Sequence, residues 1–414
     1  MAWAAIQEVS ERLILPKQDQ FEDRPCCQED FSALIPEIDR NFRALLDGVN
    51  NLPHFSIETM STEEKSALAS IVLVCGEHSA EKPWTSNFSI ESSKNISLVL
   101  CKLGNFSKLE ELILNPIILK MLLNSLCPKM EPNSWKCRPA TVQCFGWVVL
   151  KIVPPTFGEV LPRIFPANLV ILDDWETEYK IFGCQLMVHL INNVTKAELQ
   201  RQQFDDVVFD ILQRLVYERE AVIVVQAIKC IAALVTKVDH KYNQPFEIGR
   251  YDKVLKILLF QMEFEQGLEL RKAYVESLLL YLEAGSVSLI LWSQRILRVI
   301  SEYLMIEDAS GGASQLLALK ALLVFLKKTW PRANSNANQT LTIVLRLLLG
   351  ATKREPSIVM KKDVKCQILD LIKECLQLLS SLAPIKCREL LKGLEQVPAG
   401  DEFWSVLNSI PELK

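Results

Sequence analysis

The densest group of ionisable side chains in this chain is an acidic run, Asp173, Asp174, Glu176 and Glu178, inside the stretch from Leu169 to Val194. Neighbouring carboxylates are what general acid–base chemistry uses, one giving a proton while the other holds charge. That work needs the pair held across a cleft, whereas Asp173 and Asp174 are adjacent at a turn between two apolar segments. Their spacing suits helix capping: Asp173 followed by Glu176 matches an N-cap and its N3 carboxylate, both favoured at the positive end of a helix. Other chemistries are equally short of groups. The histidines (His54, His78, His189, His240) are widely scattered, and the twelve cysteines contain no C-x-x-C pair, so neither a zinc site nor a redox motif is indicated. Most cysteines fall at apolar helical positions and read as small buried hydrophobes of a reducing compartment. Gly311–Gly312 precedes a helix but lacks the lysine of a phosphate loop, and no G-x-S-x-G or G-x-G-x-x-G occurs. No catalytic residue, metal ligand or cofactor is assigned; the expectation is binding.

The elements that carry these groups are helices. With 100° per residue, Ile181, Cys184, Leu186, Met187, Val188, Leu190, Ile191 and Val194 fill an arc of roughly 220°. Such a helix needs neighbours on two sides, and Gly183 would let one approach closely. Long apolar helices with a small residue in an early turn recur near Gly183, Ala227, Ala273, Ala318 and Cys366, at separations of 44, 46, 45 and 48 residues. All but the last lie within the roughly 40–47 of HEAT-type helix pairs. The spacing therefore predicts an all-α fold, a HEAT-like α-solenoid of stacked antiparallel helix pairs.

A hydrophobic content of 49% with 23% charged residues is enough to build a large core. Met1–Leu15 is amphipathic and charged, unlike a signal peptide, and charges interrupt every apolar run of 18. The chain is expected to be soluble and intracellular, with no membrane partner. Residues 1–135 read as an N-terminal helical region with a mobile polar linker near 16–30, and residues 136–414 as the HEAT-like repeats, divided at the polar loop Pro128–Arg138. Ser61–Glu64 and Ser107–Glu110 have capping-box spacing, Pro116 should split the apolar run Leu112–Leu126, and Pro139 can open a helix. Asn334–Asn338 reads as a turn. Charge is uneven: residues 1–135 hold 19 acids and 12 bases, whereas 320–373 hold 11 bases and 3 acids. That basic segment could meet an acidic protein; with only Phe325 and Trp330 for stacking, nucleic acid is disfavoured.

Three stretches carry a family likeness. The segment LPRIFPANLVILDDWETEYKIFGCQLMVHLINNV (161–194), together with LRKAYVESLL (270–279) and 298–332, which closes on Trp330-Pro331-Arg332, resembles the Tel-two-interacting protein two family. Met187-Val188-His189 departs from the more polar pattern of that family. The resemblance implies a non-catalytic scaffold subunit of the Triple T complex, with Tel-two and Tel-two-interacting protein one as partners. It also implies a co-chaperone role with the Hsp-ninety chaperone system in the maturation and stability of phosphatidylinositol-kinase-like kinases, in cytoplasm and nucleus. The competing reading is a HEAT-repeat transport adaptor or chromosome-associated scaffold using the basic segment 320–373. Residues expected to touch partners are Asp173, Asp174 and Glu178 of the acidic turn. The others are Lys361, Lys362, Lys365, Ile368 and Ile372 of the last long helix, whose apolar side has little chain left to cover it.

Overall fold

Helix ends follow local chemistry throughout the computed structural model, which describes residues 2–239, 249–306, 311–353, 362–393 and 400–410. Helices account for all the regular structure among these residues, and they group into two compact units, Met1–Glu198 and Leu199–Lys414.

The first unit contains α1 (Ala2–Leu13), α2 (Ile35–Asn50), α3 (Thr62–Glu77), α4 (Asn87–Leu103), α5 (Leu109–Ile113), α6 (Pro116–Leu126), α7 (Pro139–Val149), α8 (Thr156–Leu172) and α9 (Thr177–Asn193), and the short α10 (Lys196–Arg201) crosses into the second. Ser61 and Glu64 form the anticipated reciprocal cap of α3. Pro116 does divide its apolar run: Asn115 turns the chain and its Oδ1 accepts from the Ile117 and Ile118 amides at 3.1 and 3.4 Å. Ser107, by contrast, binds Glu111 rather than Glu110, one residue beyond the capping-box register. α8 runs continuously through Pro162 and Pro166.

Residues 16–30 are tied down. Two 3₁₀ turns, Asp19–Phe21 and Gln28–Phe31, bring Phe21 and Phe31 into a buried cluster with Trp84 and Ala140. The Gln18 amide also donates to the Cys137 carbonyl at 2.8 Å. The loop Pro128–Arg138 lies within the first unit, because Trp135, Lys136 and Cys137 are buried there.

In the second unit, α11 (Phe204–Leu215), α13 (Arg250–Phe264), α15 (Ser293–Met305) and α17 (Ala333–Lys353) pair in turn with α12 (Ala221–Val238), α14 (Leu268–Ala284), α16 (Ala313–Lys328) and α18 (Lys362–Leu382). The second helices stack as a ladder, α12 on α14, α14 on α16 and α16 on α18, which is the solenoid arrangement the spacing predicts. Ala227, Ala273 and Ala318 are buried in it, as the register requires. Cys366 is exposed and makes no such contact, so the 48-residue interval does not extend the register. Asn334–Asn338 is helix, not turn. Ala333, Asn336, Ala337, Thr340 and Leu341 form a buried stripe along α17, and that burial outweighs the weak helix propensity of asparagine. The apolar side of α18 is covered after all, by α17 and by two further helices, α19 (Pro384–Lys392) and α20 (Asp401–Asn408).

Helix α12 has a mean hydropathy of 2.0 over its 18 residues, long and apolar enough to cross a membrane by composition alone, despite Lys229 and Lys237. Most of it is buried between α11 and α14, the environment of a core helix.

Candidate functional site

The acidic run forms the turn between α8 and α9, and these helices meet unusually closely. A Cβ on Gly183 would stand 2.6 Å from Leu172 Cα and 2.7 Å from its nitrogen, so only glycine fits against that backbone. Next to this contact, Asp173 ends α8 rather than starting α9: its amide donates to the Leu169 carbonyl at 2.9 Å, and the N-cap of α9 is Glu176. The capping assignment therefore moves by one residue and one mechanism. It is Asp174 Oδ1 that accepts from a turn amide, that of Glu176, at 2.8 Å. The physical reason is chain direction, since α8 continues to Leu172 and its last turn claims Asp173.

A cation from the loop before α7 completes the arrangement. Lys136 Nζ lies 2.8 Å from Asp174 Oδ1 and 2.8 Å from Glu176 Oε1, with 9%, 8% and 13% of the three side chains exposed. Trp175 covers the ammonium at 4.4 Å from its ring centroid, and Trp135 and Tyr179 flank it at 5.8 and 5.7 Å. Burial pushes the Tyr179 hydroxyl well above its usual titration range. A lysine drawn out of water with two carboxylates and three rings is a clasp between two parts of the chain. Lys136 lay in a loop that reads as polar from the sequence; the tryptophans at 135 and 175 were the available signal. His189 is likewise positional: its Nε2 is 2.9 Å from the Ile152 carbonyl, and Asn193 Nδ2 is 3.2 Å from its Nδ1.

The other expected contact residues divide. Asp173 is exposed on the turn and Glu178 in the first turn of α9, whereas Asp174 is committed to the clasp. Lys361 lies outside the described residues, as does the side chain of Lys362. Lys365 is 3.5 Å from Glu402 of α20. Ile368 and Ile372 are 2% and 0% exposed: they are core residues of the second unit, not docking residues, because α17, α19 and α20 close over α18. Much of the basic segment is also engaged internally. Lys327 pairs with Glu374 at 2.9 Å, and Lys328 donates to the Glu283 and Gly285 carbonyls at 3.0 Å each. Among the described residues no group of three or more His, Cys, Asp or Glu side chains could hold a metal ion.

The stacked helix pairs of the second unit define an all-α solenoid of the HEAT type, and solved structures share that fold. A chain in the structure of Kap95p with RanGDP matches with a TM-score of 0.57 at 14% identity, covering 91% of this chain and 44% of that one. A chain in the structure of Kap121p bound to RanGTP matches with a TM-score of 0.56 at 12% identity, covering 92% of this chain and 35% of that one. The chain spans less than half the length of either, and at such identity the likeness concerns fold alone. Sequence comparison is more specific. The Tti2 family model matches residues 124–218, a segment containing Lys136, both helices of the clasped turn and Gly183. The chain is 26% identical over 346 residues to TELO2-interacting protein 2 of Homo sapiens, covering 81% of this chain and 67% of that one. It is 24% identical over 352 residues to the Rattus norvegicus protein of the same name, covering 78% and 68%. The resemblance to the Tel-two-interacting protein two family is borne out.

Proposed function

We propose that this chain is a non-catalytic scaffold that binds TELO2-containing assemblies, serving as a subunit of a Triple T co-chaperone complex with Tel-two and Tel-two-interacting protein one. The observation that carries the reading is the similarity to TELO2-interacting protein 2 across four fifths of the chain. The fold supports it, because a helical ladder offers extended surfaces and holds partners at high effective concentration without reacting with them. In this role the protein works with the Hsp-ninety system to support the stability of phosphatidylinositol-kinase-like kinases, in cytoplasm and nucleus. Affinity purification of the tagged full chain from its own cells, with partners identified by mass spectrometry, tests the proposal. Stoichiometric recovery of Tel-two and Tel-two-interacting protein one is the expected result. Their absence from a folded, purified chain would overturn the reading, and imaging of the tagged chain checks the two compartments.

A further inference from the structure

Four of the well-exposed apolar side chains of the second unit follow a pattern. Val287 and Leu291, 52% and 71% exposed, lie in the 3₁₀ turn between α14 and α15. Trp330, 61% exposed, lies in the turn between α16 and α17, and Ile385, 70% exposed, begins α19 just after α18. Each marks the point where one helix pair passes to the next, so all four belong to one edge of the ladder. A direct contact joins the first two of these turns, where Lys328 at the end of α16 reaches the Glu283 and Gly285 carbonyls at the end of α14, and Lys327 ties the end of α16 to Glu374 within α18. The edge is also basic. Lys327, Lys328, Arg332, Lys386 and Arg388 stand against Glu283, Glu374 and Glu389, and Glu374 is already held by Lys327.

From this geometry we infer that the edge formed by Leu291, Trp330 and Ile385, with Arg332, Lys386 and Arg388, docks an acidic amphipathic helix of a partner protein. Trp330, in the middle of the three turns, is the kind of aromatic anchor that dominates binding energy. Helices packed about 8–10 Å apart place the three turns across about 20 Å, which a helix of about 13 residues spans. Nucleic acid fits less well. Single strands bind by stacking on rings, and Trp330 is the only exposed ring on this edge among the described residues. The surface follows from exposure and charge, and stands whether or not the partners named above are correct.

The test uses the purified full chain and a labelled 18-residue synthetic helix with leucines at i, i+3, i+4 and i+7 and glutamates elsewhere, followed by fluorescence anisotropy. A second peptide carries lysine in place of every glutamate. The glutamate peptide should bind at least tenfold more tightly than the lysine peptide and weaken as salt rises. Trp330→Ala should reduce its affinity about tenfold or more, and the double change Arg332→Glu with Arg388→Glu should reverse the preference between peptides. All these positions are exposed, so circular dichroism should be unchanged; if Trp330→Ala does not fold, Leu291→Ser serves in its place. Equal binding of both peptides, or binding indifferent to these substitutions, overturns the inference. So does a single-stranded oligonucleotide that displaces the peptide at lower concentration, or a dimer in light scattering that Trp330→Ala dissolves, since either would assign the edge to a different occupant.

Discussion

Glu77 offers the sharpest test of how the first unit is held together. It ends α3 with only 2% of its surface exposed, and its Oε2 accepts from the Leu15 amide at 3.3 Å, just past the end of α1. Burial raises its pKa from 4.5 to about 7; the hydrogen bond from Leu15 and the positive charge of Lys129 oppose the shift only in part. The folded carboxyl therefore keeps its proton where the unfolded one has lost it. Its contribution is fully present below about pH 4.5 and is lost as pH rises through about 7. Each unit of difference corresponds to about 1.4 kcal/mol, so between pH 5 and pH 8 the loss comes to about 2–3 kcal/mol. Glu77→Gln keeps the shape and the acceptor and removes the titration. Any fixed cost of the added NH₂ group shifts its stability equally at every pH. Urea unfolding at pH 5, 6, 7 and 8, followed by tryptophan fluorescence, should show the variant gaining about 2–3 kcal/mol on the parent across that range. Parallel pH profiles for the two proteins would refute the reasoning, and would mean that the Glu77 carboxyl is hydrated or paired in solution.

His78, beside it, works in the opposite direction: burial against Phe42 lowers its pKa from 6.5 to about 3, and among the described residues neither ring nitrogen has a hydrogen-bond partner. Stability should fall as pH drops below 6.5, and His78→Leu should remove that acid-side loss, as melting midpoints between pH 4 and 7 will show. Lys136→Met strands two mostly buried carboxylates and should cost about 3 kcal/mol in chemical denaturation. Asp174→Ala should cost about 2 kcal/mol more than Asp173→Ala, and equal losses in chemical denaturation would restore Asp173 as the functional cap. Gly183→Ala would drive a methyl group into the Leu172 backbone, so it should destabilise by about 1–3 kcal/mol despite the better helix propensity of alanine; an unchanged melting midpoint would show that α8 and α9 can separate freely.

The ladder was legible because its signal is periodic: Ala227, Ala273 and Ala318 recur at the repeat interval, and each lies in the core of a stacked helix. The close contact at Gly183 was legible for a related reason, since a glycine within a wide apolar arc has few other uses. Non-local features were hidden. Nothing near Lys136 in the chain announces Asp174, about 40 residues on, so a loop that closes a buried clasp looked like a boundary. Local chemistry also misled where burial decides the outcome. Asn334–Asn338 has turn composition, yet Ala333, Ala337 and Leu341 draw it into α17. Ile368 and Ile372 looked uncovered because little chain remained after α18; α19 and α20 close that end. Charge counts located the basic segment but not its direction, because Lys327 and Lys328 spend their charge on Glu374 and on backbone carbonyls.

The apolar character of α12 bears on how the chain is made. One side of this helix is covered by α14, and 46 residues separate Val238 from Ala284. At translation rates of about 5–20 residues per second, α12 waits roughly 2–9 s with that side bare, while its hydropathy is that of a membrane span. Each newly made rung is thus without its stacking neighbour until the next emerges. Released chains ending before Leu268 should be cut by protease within α12, whereas chains extending well beyond Ala284 should resist; equal resistance would mean that α11 alone suffices to shelter it.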